Sequence, residues 1–560
     1  MTKLGRIMPN LNQKSPVTFS EEKIDAIFAT LDQCRRPGAA VGIGIAGKTV
    51  YRKGFGLANM NLPVVLSPTM RIRIGSVSKH FVAFGYMLLC EDGRASIDDP
   101  VGKYLPELNS VTHKVTMRQL MGNNSCLRDA VDICQQFSGT ERGRVTTSDL
   151  MSIYRESAET NFAPGTTNIY NNGGWIILSE VIERIAERSL ERFLWERVFE
   201  PVGMHDTFLR QWDAEHVPNS ADCHGLNVAG RFERTELLGG LDIAAAGMVA
   251  STADDMLRWL AHMDAPTIGT AKTWELMKTP QILSGVSTDY GLGLSIEWRR
   301  GVQMIHHSGG GYGSTTQMIK VPDAGLDVIV MCNHQVMCNP LGGFGSNAVG
   351  LSERILEACL PSLELEEPRY EGPFPEGVFR SPRTGRAAQF LRKEISYLGN
   401  EKVAAVALDG HWLAFTSDSK GVLRACGGEL PGVTFTPVGS MDNPSSLRLN
   451  DLGIHDELVR VSITVDAKAA IASIVGRYRS DETGADALIV DTDAGPRLRT
   501  IGRFGSTEHS LEHLADGVWR NRILNRWVLP VNGFLLFDTA DGSFGFYTNL
   551  TRNVRFRRLS

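Results

Sequence analysis

One pattern occurs twice in the C-terminal half of this chain. GVFRSPRTGRAAQF begins at Gly377, and GRYRSDETGADALI begins at Gly476, ninety-nine residues later. The copies agree at Gly377/Gly476, Arg380/Arg479, Ser381/Ser480, Thr384/Thr483, Gly385/Gly484 and Ala388/Ala487, with Phe379 opposite Tyr478. A repeat of that period predicts two copies of one domain of ordinary size. Around the copies the chain reads as short strands and turns: HWLAFTSD, GVTFTPV, LVRVSITVD, RWVLPV, GFLLFDT, GSFGFYTN and NVRFRRL. That spacing suggests sandwiches or small barrels, expected over residues 366–470 and 471–560. Neither copy carries a paired-acid, metal or phosphate-binding pattern. Their expected role is structural, or to shape access to a site elsewhere.

The first 365 residues differ in character. Helical pattern over 20–35 is followed by two strands joined around Gly47-Lys48, then helical stretches at 76–92 and 173–197. Residues 302–308 and 314–333 read as strands, with a hairpin turning at Pro322-Asp323-Ala324-Gly325, and 346–359 as a closing helix. The stretch LPSLELEEPRYEGPFPEG, rich in proline and glutamate, is the best linker candidate.

Composition removes several function classes. Of 560 residues, 42% are hydrophobic and 22% charged, which is ample for a packed core and excludes disorder as a whole-chain description. Fifty-eight basic residues against 63 acidic ones leave a net charge of −5, so no basic surplus exists to neutralise nucleic-acid phosphates. No apolar run approaches the roughly 20 residues of a membrane helix. The N-terminal segment lacks the apolar core of a secretory signal, which points to the cytoplasm. Nine cysteines without a C-x-x-C pair read as reduced, mostly buried thiols, and none has flanking residues that favour it as a nucleophile. Without clustered cysteines or H-E-x-x-H, no metal site is expected.

Three motifs carry chemistry. Ser76-Val77-Ser78-Lys79 opens a helical pattern, and residues three apart share a helix face, so Ser76 and Lys79 can meet. Serine is a weak nucleophile until a base takes its proton, and a desolvated lysine can do so. Taken singly, S-x-x-K is common and often only a cap. Tyr170-Asn171-Asn172 lies in a turn before Gly173-Gly174, where loop and cap formation would explain it alone. His306-His307-Ser308-Gly309-Gly310-Gly311 places glycines on a strand, letting backbone approach a substrate, although an ordinary tight turn would read the same. It lacks the G-K-[ST] ending of a phosphate loop.

Order and spacing combine these pieces. S-x-x-K near 76, Y-x-N near 170 and H-x-G near 307 together resemble the serine β-lactamase and penicillin-binding-protein-like family. Arg73-Ile74-Gly75, Asp98-Asp99-Pro100-Val101, Tyr104-Leu105-Pro106, LMGNNSCL at 120–127, Glu200 to Met204 and Ala245 to Thr252 are similar to family stretches as well. The resemblance spans about residues 20–360. Serine β-lactamases carry K-T-G where this chain has His307-Ser308-Gly309. H-x-G with two C-terminal β domains, GRYRSDETGADALIV and NNSCLRD at 123–129 look like the bacterial D-aminopeptidase branch.

The resemblance implies an α/β (α+β) transpeptidase-like domain over residues 1–365, with an antiparallel sheet flanked by helices. Two eight-stranded, lipocalin-like antiparallel barrels should follow. It implies acyl transfer: Ser76 as nucleophile, Lys79 and Tyr170 as the base system, Asn172 orienting Lys79 or the substrate, and Tyr170 protonating the leaving amine. The oxyanion would sit between the backbone N–H groups of Ser76 and Gly310. His307 stands where β-lactamases use lysine to hold a substrate carboxylate, and Asn124, Ser308 and Gly309 are expected to contact substrate. No metal or organic cofactor is expected. The expected partner is a small peptide or peptide amide, with no nucleic acid and no membrane, and the sequence leaves a homo-oligomer open. A D-aminopeptidase-like enzyme is the first reading. A peptidase for linear peptides with unusual or D-residues, such as linearised microcystin, is second. An esterase or β-lactamase is third, and a non-catalytic penicillin-binding sensor is the remaining alternative. Two departures stand out. Cys126 replaces the family's glycine, with packing expected to feel it more than chemistry. The loop at Val528 to Leu536 looks shorter than the branch's long barrel loop.

Overall fold

The computed structural model describes residues 16–559 except 33–34, 139–143, 213–214, 227–230, 236–241, 312, 336–346, 365–371, 395–401, 418–420, 427–432, 452–453, 465, 525–531 and 539. The linker's centre and the first part of the 528–536 loop therefore lie outside the described residues.

A six-stranded antiparallel sheet organises the first unit. Its strands run in the order Ser295–Arg299, Val302–Gly311, Ser314–Val321, Leu326–Cys332, Ala39–Ile45, Lys48–Phe55. Alternate residues enter two cores, because successive side chains on a strand point to opposite faces. Ala39, Val41, Ile43, Val328, Val330 and Cys332 pack against the helices Glu21–Phe28 and Ala348–Cys359. Ala40, Ile329 and Met331 join a larger core that holds the helices Ser78–Glu91, Asn172–Ala186 and Ala253–His262. With both faces covered, the central strands Ala39–Ile45 and Leu326–Cys332 read as near-continuous apolar runs. The hairpin at Pro322 to Gly325 closes on a short 3-10 turn, with Gly325 at φ 61°.

Three local expectations are corrected. The helix expected over 20–35 spans only Glu21–Phe28, started by the Ser20 side chain accepting Lys23 N. The helix expected over 173–197 breaks at Glu187, whose φ is 58°, and a new helix starts at Leu190 under a Ser189 cap. Beyond the linker only strands and turns are expected, but Ala467–Ile474 is a helix. Asp466 caps it by accepting Lys468 N and Ala469 N, and its alanine-rich sequence has high helix propensity. Ala470 and Ile474 then bury against the last barrel.

Both repeat copies open closed eight-stranded antiparallel barrels, the first from Gly377–Arg380 to Ile454–Val461 and the second from Gly476–Arg479 to Val554–Arg558. The matched residues make the same turn in each. Ser381 N donates to Arg386 O at 2.8 Å, and Ser480 N to Ala485 O at 2.9 Å. Ser381 Oγ accepts Thr384 N at 3.0 Å, and Ser480 Oγ accepts Thr483 N at 3.4 Å. The first barrel's interior is filled by Phe379, Phe390, Phe415 and Phe435. The second holds Tyr478, Phe544, Phe546 and Phe556, together with Ile133 and Phe137 from the first unit. No described helix is long and apolar enough to cross a membrane.

Candidate active site

Ser76 sits at a junction. A 3-10 turn over Gly75–Val77 runs into the helix Ser78–Glu91, so Ser76 is half-exposed at the mouth while Lys79 is fully buried below it. Ser78 pins the junction: its Oγ donates to Gly75 O at 2.6 Å and accepts Val249 N at 3.1 Å. Lys79 Nζ lies 3.0 Å from Ser76 Oγ, 2.9 Å from Asn172 Oδ1 and 2.6 Å from Ala246 O. It also stands 4.8 Å from the centre of the Tyr170 ring. These three oxygens are uncharged, and an ammonium here can place a proton on each. A neutral amine would give two protons to Asn172 and Ala246, leaving its lone pair facing the serine hydroxyl.

Asn172 is held from behind. Its backbone N donates to Asp129 Oδ2 at 2.6 Å, while Asp129 Oδ1 accepts Val131 N and Asp132 N. Burial, then the charge of Asp132, pushes the Asp129 carboxyl up to about 6. Asn171 caps the following helix by accepting Gly174 N at 2.7 Å and ties back to Leu127 O at 2.6 Å. The NNSCLRD stretch is thus the bed of the Y-x-N turn. Asp129's part in it had no signal beyond membership in that stretch.

The strand Val302–Gly311 forms the opposite wall. A Cβ on Gly309 would stand 1.8 Å from Ile74 O and 3.2 Å from Ser76 N, so only glycine lets strand and turn touch. Gly310 and Ser308 face solvent, and a Cβ on Gly310 would meet nothing within 4 Å. His307 is buried, its ring 6.4 Å from that of Tyr170. Nδ1 lies 2.6 Å from Ser308 O, an acceptor, so Nδ1 carries the proton and Nε2 accepts from the Tyr290 hydroxyl at 3.0 Å. Burial, then the nearby Lys79, lowers the imidazole to about 3. Tyr290 is buried, which raises its phenol far above the ordinary range. Nothing in the spacing of TDYGLGLS marked it.

The structure therefore brings Ser76, Lys79, Tyr170, Asn172 and His307 together, with Gly309 and Gly310 against the serine turn. Asn124 is 4% exposed, and its side-chain oxygen is buried without a hydrogen-bond partner. Cys126 has φ 56°, the left-handed region that glycine occupies without strain, and its Sγ reaches Thr167 O at 3.5 Å. Both barrels reach this neighbourhood. Asp451 of the first and Asn549, Leu550 and Arg552 of the second line a small cavity with Asn168 and Tyr170. Arg386, fully buried, pairs with Asp409 at 2.8 Å and Asp451 at 2.9 Å, and Arg552 reaches Asp409 at 3.3 Å. Among the described residues no group of acids, histidines and cysteines could hold a metal ion.

The family profile described as Beta-lactamase matches residues 24–338. A D-aminopeptidase of Brucella anthropi is 28% identical, covering 97% of this chain and 99% of that protein. The octameric penicillin-binding protein homologue from Pyrococcus abyssi superposes over 96% of this chain and all of its own, with a TM-score of 0.52 at 18% identity. The D-amino acid amidase from Ochrobactrum anthropi SV3, complexed with L-phenylalanine amide, matches 60% of this chain and 97% of its own, at a TM-score of 0.50 and 23% identity.

Proposed function

The chain belongs to the beta-lactamase family and is a serine amidohydrolase; from that premise we propose that it is D-aminopeptidase-like, cleaving short peptides or peptide amides through an acyl-enzyme on Ser76. Ser76 Oγ attacks the carbonyl carbon while its proton passes to Lys79 Nζ. Asn172 and Ala246 hold the other two protons of that amine and so aim its lone pair. The tetrahedral oxyanion lies between the backbone N–H groups of Ser76 and Gly310, where fixed dipoles stabilise charge as it develops. Tyr170, beside Lys79, gives a proton to the departing amine, and water then releases the acid by the reverse use of the same groups. Asn124, Ser308 and Gly309 line the substrate's path.

The neutral imidazole of His307 supports the choice of substrate. An uncharged ring is a weak anchor for a carboxylate, which favours amides and peptides over penicillins. The near-full-length likeness to a D-aminopeptidase, barrels included, points the same way.

The observation that carries this reading is the 3.0 Å approach of Lys79 Nζ to Ser76 Oγ, with the same nitrogen 2.9 Å from Asn172 Oδ1 and 2.6 Å from Ala246 O. The test is hydrolysis of D- and L-residue peptide amides, free or blocked at the N-terminus, by the wild type and Ser76→Ala. Wild type is expected to prefer free D-residue substrates, and the variant to lose at least about a thousandfold in kcat. Undiminished turnover by Ser76→Ala overturns the nucleophile, and preference for N-blocked peptides overturns the aminopeptidase reading.

A further inference from the structure

The helix that begins under the Asp129 cap ends inside the second barrel. It runs as α-helix over Ala130–Ile133 and loosens into a π-turn over Cys134–Ser138. Phe137 is fully buried in the barrel's core, its ring 4.7 Å from that of Phe546 and 5.4 Å from that of Phe556.

A helix C-terminus leaves its last carbonyls without intrahelical partners. Here barrel side chains supply them. Thr507 Oγ1 donates to Gln135 O at 2.9 Å, Thr500 Oγ1 to Gln136 O at 3.0 Å, and His509 Nε2 to Gln136 O at 3.1 Å. The His509 tautomer is set from its other side, where Asn521 Nδ2 donates to Nδ1 at 3.2 Å. One turn earlier, Thr548 Oγ1 donates to Asp132 Oδ2 at 2.7 Å while accepting Leu550 N and Thr551 N. Gln136 Nε2 donates to the other oxygen of Asp132. All of these contacts but the part-buried one from Leu550 N are buried, so each of those is costly to leave unmade.

The gripped helix leads straight to the reacting groups. Its cap, Asp129, holds Asn172 N at 2.6 Å, and Asn172 Oδ1 receives Lys79 Nζ at 2.9 Å. A continuous path therefore joins barrel, helix, Asp129, Asn172 and Lys79. We propose that Thr548 and Asp132 are positioning residues of the hydrolase site, and that docking of the second barrel sets where Asn172 holds Lys79. The rate consequence rests on the mechanism above; the positional consequence does not.

The experiment compares the full-length wild type with Thr548→Val and Thr548→Ser. Valine keeps the shape and removes the hydroxyl, whereas serine keeps the hydroxyl. Two readouts are taken: amide hydrogen exchange at Asn172 and across 129–138, and the kcat and KM of a D-residue peptide amide. Thr548→Val should speed exchange at Asn172 about tenfold and lower kcat about tenfold with KM within about threefold, since small misplacement of reacting groups is expensive. Thr548→Ser should restore both. If Thr548→Val does not fold, Asp132→Asn carries the same two readouts. Unchanged exchange at Asn172, or a loss of kcat that serine does not restore, overturns the inference. If the wild type does not hydrolyse the amide, the mechanism fails and the exchange readout alone decides this proposal.

Discussion

The hydroxyl of Tyr290 donates to Nε2 of His307 across 3.0 Å, and the same ring's Nδ1 sits 2.6 Å from Ser308 O. Two partners at opposite corners of the imidazole hold one tautomer and one orientation in the wall of the cleft. Tyr290→Phe leaves a buried acceptor without its donor. We expect a stability loss of about 1–2 kcal/mol and a fall in kcat/KM of roughly tenfold. Thermal melting and steady-state kinetics check these, and imidazole nitrogen shifts should report the Nδ1–H tautomer in the wild type from pH 5 to 8.

Adjacent glycines should answer very differently to one methyl group. Gly309→Ala drives a Cβ to 1.8 Å from Ile74 O, so the strand and the Ser76 turn must part. A loss of about 1–3 kcal/mol in stability and at least about a hundredfold in kcat is expected. Gly310→Ala meets no atom within 4 Å and should melt like the wild type. Equal melting temperatures for both variants would contradict the close approach.

Cys126 offers a reversal of the usual order. At φ 56° any side chain is strained by about 1 kcal/mol. Cys126→Gly relieves that strain but gives up the buried sulfur, so its net change should be small. Cys126→Ala gives up the sulfur and keeps the strain. Chemical denaturation should therefore rank glycine above alanine at this position.

His509 makes part of the stability pH-dependent. Burial lowers its imidazole to about 4 in the folded protein, against an ordinary value near 6.5 unfolded. The neutral ring contributes fully above pH 6.5, and the contribution is lost as pH falls toward 4, because only the unfolded chain then takes a proton. His509→Gln does not titrate. The stability gap between wild type and variant should narrow by up to about 1.4 kcal/mol per pH unit over that window. A constant gap in denaturant melts at pH 7, 6 and 5 would refute it.

The S-x-x-K, Y-x-N and H-x-G motifs were legible because each is local: a helical turn, a capping turn and a glycine strand declare themselves within a few residues. The repeat around Ser381 and Ser480 was legible for the same reason: the turn it forms in each barrel, found in the structure, closes hydroxyl bonds that reach only three residues. Partners contributed across the fold left no such trace. Ala246 gives Lys79 a backbone carbonyl, which any residue could supply. Tyr290 meets His307 only because the turn before Ser295–Arg299 folds back against the strand Val302–Gly311. Asp129 looks like any helix cap until Asn172 is seen to share it. The helix Ala467–Ile474 was hidden behind a β-rich context, although its Asp cap and alanines announce it in hindsight.

The burial of Phe137 also fixes a schedule. Its neighbour Phe556 lies more than four hundred positions downstream. At roughly 5–20 residues per second of synthesis, about 20 to 80 seconds separate the two rings' emergence. Through that interval the barrel residues that cover Phe137 and cap its helix do not yet exist. Synthesis through the second barrel is thus needed before the helix over 130–138 gains its C-terminal partners.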